Sequence, residues 1–165
     1  MYWIYSALLA VGLLVSVPYW LLEFLRHGKY GDGLGERLGR FPERLSANDQ
    51  PAVWIHAVSV GEVVAVSELV SRLRREFPRH RIVFSTTTAT GQEMARARFG
   101  DDSVFYFPLD FRFAIRPYLR RLKPDLIVLA ETEFWPNFLR LAHASGSKIA
   151  VVNARISDRS LPGYK

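Results

Sequence analysis

The chain of 165 residues is long enough for one ordinary domain, and 49% hydrophobic against 23% charged residues describes a globular chain with a sizeable core, not a disordered one. It has no cysteine, which excludes disulfides, thiolate metal sites and cysteine nucleophiles, and its four histidines, His27, His56, His80 and His143, lack metal-ligand spacing. The net charge of +6 is gathered into clusters at 26–44, 72–81 and 116–123, which suit phosphates. No nucleic-acid motif accompanies them and the first follows an apolar segment, so a membrane surface of anionic lipid is the expected partner and nucleic acid is not.

Residues 1–22 carry no charge. As a helix they would rise about 33 Å, close to the hydrocarbon thickness of a bilayer. Tyr2, Trp3 and Tyr5 at one end and Tyr19 and Trp20 at the other resemble interfacial aromatic belts. The basic residues follow this stretch instead of preceding it, which argues against a cleaved signal peptide and, by the positive-inside rule, puts the remainder in the cytoplasm. The expectation is a membrane-anchor helix over 1–25, taken as single-pass with a deeply interfacial helix as its other form; the alternative is an apolar helix docked on a partner. Residues 26–50 are glycine-rich, but Gly31, Gly33, Gly35 and Gly39 do not fit G-x-G-x-x-G and no strand precedes them. They are expected to form a mobile basic connector near the membrane surface, ending in a polar linker over 46–50.

From Pro51 onward apolar runs alternate with helical patterns. The runs predict strands over 53–58, 81–85, 104–107, 126–130 and 148–152. Helices are expected over 61–77, 91–99 and 136–144, with an amphipathic segment over 111–122. Five strands alternating with helices through right-handed crossovers make an α/β domain with a doubly wound parallel sheet over 51–165.

The residues just past each strand are polar or small: Ser59-Val60-Gly61-Glu62, Thr86 to Gly91, Pro108-Leu109-Asp110, Glu131-Thr132-Glu133 and Asn153-Ala154-Arg155. In a parallel sheet these five sets converge on one edge and line a single cleft. Glu62, at the first turn of its helix, is the carboxylate placed for proton transfer. Thr90 reads as a helix cap or a ligand contact. Glu131 and Glu133 flank Thr132, and one of them is expected to face the cleft. Trp135 reads as packing ahead of Pro136, which suits a first helical position. Two rival readings stay open. Ala57-Val58-Ser59-Val60-Gly61 approximates the G-x-S-x-G elbow of a serine hydrolase with Ser59 as nucleophile, and a non-catalytic, membrane-tethered module for anionic ligands fits the same pattern.

At His56 to Glu62, Thr86 to Gly91, Glu131-Thr132-Glu133-Phe134-Trp135-Pro136-Asn137 and Asn153-Ala154-Arg155-Ile156-Ser157 the chain resembles the bacterial 3-deoxy-D-manno-octulosonic acid (Kdo) transferases, glycosyltransferases of lipid A. The resemblance extends to the apolar N-terminus and to Gly35-Glu36-Arg37-Leu38-Gly39. It implies the Rossmann-like N-terminal half of a two-domain GT-B enzyme, the C-terminal donor domain being absent. The implied reaction moves Kdo from CMP-Kdo to a tetraacylated lipid A precursor at the inner membrane, with inversion and with neither metal nor cofactor. Glu62 matches the general base, and Glu131 a residue that stabilises the transition state. Ser59, Gly61, Thr87, Thr88, Gly91, Glu133, Asn153 and Arg155 then line the acceptor side.

Overall fold

A computed structural model describes residues 2–27, 33–46 and 50–154, with residues 19–27 and 46 described by their backbone alone. Helix α1 (Tyr2–His27) is followed by the single turn α2 (Leu34–Arg37) and a 3-10 turn at Glu43–Ser46. The domain proper then runs β1 (Ala52–His56), α3 (Val60–Ala65), α4 (Ser67–Glu76), β2 (Arg81–Thr86), α5 (Ala89–Phe99), β3 (Val104–Tyr106), α6 (Arg112–Leu122), β4 (Pro124–Ala130), α7 (Pro136–Ala144) and β5 (Lys148–Val152). All neighbouring strands are parallel, in the order β3-β2-β1-β4-β5. The chain reverses its direction of travel across the sheet between β1 and β4, the switch point at which such sheets leave a crevice outside the carboxyl ends of their strands.

Strand periodicity sorts the core into two layers. Trp54, Val83, Phe105, Ile127 and Leu129 face α6 and α7 on one side, whereas Val53, Ile55, Phe84, Val104 and Val128 face α3, α4 and α5 on the other. Trp54 is the hub of the first layer, with Phe138 and Phe105 at ring-centroid distances of 4.9 and 5.3 Å and its indole N–H donated to Ser85 Oγ at 2.7 Å. Burying so large a ring costs nothing in unmet hydrogen bonding when that N–H finds a partner.

The helix expected over 61–77 is two pieces, because Val66 sits at φ −91°, ψ −1° between α3 and α4. Val66 N–H still bonds Glu62 O at 3.0 Å and Val70 N–H bonds Val66 O at 2.9 Å, so the break is a bend in a nearly continuous rod. In the amphipathic segment α6, Ile115, Tyr118 and Leu119 are core residues, while Arg112, Arg116 and Arg120 stand on the open face beside Phe113.

The connector differs from its expectation where it is described. Over 33–46 it is a fixed strap that runs from the carboxyl ends of β2 and β3, at Gly33 and Arg37, to their amino ends, at Arg44 and Leu45. Glu36 accepts from Arg44 Nη2 at 2.6 Å and from the backbone N–H of Tyr106 at 2.7 Å, and Tyr118 Oη donates to Glu36 O at 2.9 Å. A carboxylate with two charge-assisted partners anchors a short segment well, which glycine content alone does not disclose. Gly39 is needed there, since it lies at φ +95° and a side chain would meet Ala114 Cα at 2.7 Å. Residues 28–32 and 47–49 of the expected connector and linker lie outside the described residues.

Among the described residues no helix is long and apolar enough to cross a membrane. The part of α1 described with side chains, residues 2–18, rises about 26 Å against about 30 Å of hydrocarbon. The single-pass form of the expected anchor is not supported by the described residues.

Candidate active site

β1 ends at His56 and the chain turns through Ala57, Val58 and Ser59 into α3. Ser59 is extended at the helix start, and Glu62 follows at the S-x-x-E spacing that lets a carboxylate reach back over the first turn. The Glu62 carboxylate accepts the Val58 backbone N–H at 2.8 Å and the Ser59 hydroxyl at 3.0 Å. Both donors hold the side chain in one position, and each oxygen keeps a lone pair for a third donor. Gly61 is exposed beside it. The hydrolase reading loses its chemistry here, because Ser59 donates to a carboxylate and His56 is engaged elsewhere.

His56 is fully buried under Phe107, their rings stacked at 4.0 Å, with Nδ1 3.1 Å from Ser85 O and 3.0 Å from Ser85 Oγ. Burial pushes the imidazole down to about 4, against the opposing effect of the Ser85 carbonyl. The ring is therefore a neutral structural element under the turn. Its Nε2 is buried without a hydrogen-bond partner.

The turn after β2 is stitched to the turn after β1. Thr88, not Thr90, caps α5: Thr88 Oγ1 accepts the Gly91 N–H at 3.1 Å and donates to Val58 O at 3.1 Å. A side chain on Gly91 would meet Thr88 Oγ1 at 2.8 Å and Val58 O at 3.0 Å, so this glycine permits two loops to touch. Thr88 and Gly91 thus join the two turns, while Thr87 keeps a buried hydroxyl with no hydrogen-bond partner and accepts Arg37 Nη2 on its carbonyl at 2.6 Å. Arg37 also lies over the Tyr106 ring at 4.4 Å, and burial holds its guanidinium below the ordinary arginine range.

Glu131 and Asn153 end β4 and β5 in left-handed conformations, at φ 63° and 56°. Asn153 Nδ2 donates to Glu131 Oε1 at 3.3 Å. Two non-glycine residues held this way cost on the order of 1–3 kcal/mol each, a strain that clusters at functional sites. The left-handed turn at Glu131 also takes the chain out of the extended conformation at the end of β4. Glu133 is raised above the usual carboxylate range first by burial, then by the charges of Glu62 and Glu131, with the Trp135 indole acting in the opposite sense. Glu133 therefore lies within electrostatic reach of both other carboxylates, which come from two strands adjacent at the switch point. Of the last expected set, Asn153 is exposed at the edge, and Arg155, with Ile156 and Ser157, lies outside the described residues.

Sequence reasoning missed how Asp110 works. It is buried after β3 and caps α7 from a distance, accepting the backbone N–H of Phe138 at 2.7 Å and of Asn137 at 3.0 Å. Burial raises its carboxyl while these two bonds oppose the rise. The signal was present in Trp135-Pro136, a helix start with no capping side chain of its own. Among the described residues no group of three or more acidic or histidine side chains is arranged to hold a metal ion.

Residues 32–165 match the family model described as 3-Deoxy-D-manno-octulosonic-acid transferase (kdotransferase). The chain belongs to the Kdo transferase family. It is 36% identical over 162 residues to the 3-deoxy-D-manno-octulosonic acid transferase of Haemophilus influenzae, covering 97% of this chain and 38% of that protein. To the enzyme of the same name from Chlamydophila psittaci it is 33% identical over 159 residues, 95% of this chain and 36% of the other. A bifunctional glycosyltransferase/methyltransferase of Fusobacterium nucleatum is 42% identical over 120 residues, 71% of this chain and 19% of that protein. The chain spans little more than a third of the length of the first two relatives. In this Kdo transferase chain every expected site residue, Ser59 through Arg155, falls inside the family match, whereas α1 precedes it.

Proposed function

We propose that the protein carrying this chain transfers Kdo from CMP-Kdo to the tetraacylated lipid A precursor in lipopolysaccharide biosynthesis, at the cytoplasmic face of the inner membrane. In this reading residues 1–25 attach the chain to the membrane, 26–50 connect, and 51–165 form the acceptor-side, Rossmann-like half of a GT-B enzyme. The donor is held mainly outside these 165 residues.

The observation that carries the reading is the gathering of Glu62, Glu131 and Glu133 at the switch point. A sugar hydroxyl is a weak nucleophile until a base takes its proton. Glu62 accepts that proton as the hydroxyl oxygen attacks the anomeric carbon of Kdo from the face opposite CMP, and CMP leaves with the bonding electron pair, which inverts the centre. Donation from Val58 and Ser59 keeps Glu62 in place. Glu131, fixed by its left-handed turn, faces the positive charge that develops on the donor sugar as CMP departs. Ser59, Gly61, Thr87, Thr88, Glu133, Asn153 and Arg155 border the acceptor. The reaction needs neither metal nor cofactor in this account.

The test is direct. The full-length protein, given CMP-Kdo and the tetraacylated disaccharide in the presence of EDTA, should yield a Kdo-bearing lipid by mass spectrometry. Binding of the lipid without product would favour the module that holds anionic ligands and does no chemistry.

A further inference from the structure

Helix α1 is the part of the molecule that the family match leaves out, and its first turns rest on the catalytic edge. Asn137 Nδ2 donates to Ser6 Oγ at 3.0 Å, the Arg140 guanidinium lies 4.8 Å from the Tyr2 ring centroid, and the Tyr5 phenol hydrogen-bonds Asp110. Asp110 and Asn137 sit at the carboxyl ends of β3 and β4, so the amino-terminal end of α1 is on the side of the sheet that carries Glu62.

This contact decides between topologies. A helix crossing the bilayer with its amino terminus outside would put Tyr2 and Ser6 about 30 Å from a cytoplasmic domain, across the hydrocarbon. A helix crossing in the other sense would leave His27 on the far side, and the six steps from His27 to Gly33 reach at most about 22 Å, too short to return. Gly33 is on the domain, against the Tyr106 ring. Both ends of α1 therefore lie on the domain's side of the membrane.

The outward face of α1 is apolar and uncovered. Trp3 is 84% exposed, Leu8 68% and Val15 75%, with Ile4, Val11 and Leu14 on the same open stripe. No charged residue interrupts 1–22. Two residues beyond Asp110, α6 begins with Arg112 and the exposed Phe113, and Arg112, Arg116 and Arg120 follow at helical i, i+4 spacing. None of these three arginines has an acidic partner among the described residues, and Arg112 and Arg120 depress the Arg116 guanidinium by repulsion. An apolar stripe next to an uncompensated cationic face is complementary to one surface, a leaflet of anionic lipid.

We propose that α1 lies in the plane of the cytoplasmic leaflet, docked by Tyr2, Tyr5 and Ser6 on the catalytic edge, with Arg112, Arg116 and Arg120 at the headgroups. The helix then sets the height of the cleft above the acyl chains. Only that consequence rests on the proposed lipid acceptor; the placement of α1 stands apart from any activity.

The experiment reads depth, not turnover. Single cysteines at Ile4, Val11 and Val15, in the full-length protein freed of any other cysteine, carry an environment-sensitive fluorophore in vesicles of phosphatidylglycerol and phosphatidylethanolamine containing shallow or deep nitroxide lipids. An in-plane helix places Ile4 and Val15 at one depth, giving equal ratios of shallow to deep quenching, whereas a spanning helix separates them by about 16 Å. A short bismaleimide should also join S6C to N137C in the same vesicles, and R112Q/R116Q/R120Q should reduce binding to these vesicles at low salt but not at high salt. Depth that changes steadily from Ile4 to Val15 would overturn the proposal. So would absence of lipid quenching with cross-links between copies at Trp3→Cys, which would make the stripe a contact between two chains.

Discussion

The buried histidine beneath the Ser59 to Glu62 turn gives the chain a pH dependence whose sign and size follow from its burial. His56 is fully buried and neutral, pushed down to about 4, while the unfolded chain takes up a proton near the ordinary value of about 6.5. Above that value neither state is protonated and the residue adds no pH dependence. As pH falls below it only the unfolded state gains a proton, so stability declines until the folded ring titrates as well. The full loss is about 3 kcal/mol, of which about 2 kcal/mol is gone by pH 5. His56→Asn removes the titration yet leaves an amide that can donate to Ser85 O, and Ser85 O keeps the Ala57 N–H at 3.0 Å in either case. The variant should be less stable at pH 7.5 by about 1–2 kcal/mol, through lost ring stacking and a small void. Urea denaturation at pH 7.5 and pH 5 measures both chains. The parent should lose about 2 kcal/mol more than the variant between the two values, because the other titrating groups are common to both. Equal losses would refute the assignment of a neutral, buried imidazole.

Gly91→Ala should lower stability by about 1–3 kcal/mol, the cost of forcing a methyl into a filled space, since one of the atoms it meets is the Val58 carbonyl oxygen. Calorimetry would show this as a melting temperature lower by several degrees. Asp110→Ala strips the start of α7 of two charge-assisted hydrogen bonds and should cost about 3 kcal/mol, read in the urea midpoint. The same change should release the first turns of α1, measurable as faster proteolysis within residues 2–18. Ser59→Ala leaves Glu62 bonded to Val58 and should keep most transfer activity in the full-length enzyme, whereas a serine nucleophile would lose nearly all of it.

The sheet was legible because its strands are buried on both faces and read as unbroken apolar runs, and right-handed crossovers leave few orders for five of them. The convergence of Glu62, Thr87, Glu131 and Asn153 followed from that order. What was hidden depends on backbone geometry or on long-range partners. The left-handed turn at Glu131 follows an apolar strand with no glycine or proline to mark it. The cap of α5 fell on Thr88 because its hydroxyl also reaches Val58 O, a contact made across 30 residues. The strap over 33–46 is held by Glu36, whose partners Arg44, Tyr106 and Tyr118 are scattered along the chain. The role of Glu62 in closing its own turn was readable in Ser59-Val60-Gly61-Glu62, a capping-box spacing that its catalytic interest obscured. For α1, apolar length suggested a span, and the contacts of Tyr2, Tyr5 and Ser6 with the domain, which no sequence pattern shows, argue against one.

The central claim is that Glu62 takes the proton of the acceptor hydroxyl. Glu62→Gln in the full-length enzyme keeps an acceptor for the Val58 N–H and so should preserve the turn, with an unfolding midpoint close to that of the parent. Measured by transfer of Kdo to the lipid precursor under saturating donor, the rate should fall by about 10²–10⁴-fold with acceptor binding little changed. A variant that turns over at nearly the parent rate would contradict the account and move the base to Glu131 or Glu133.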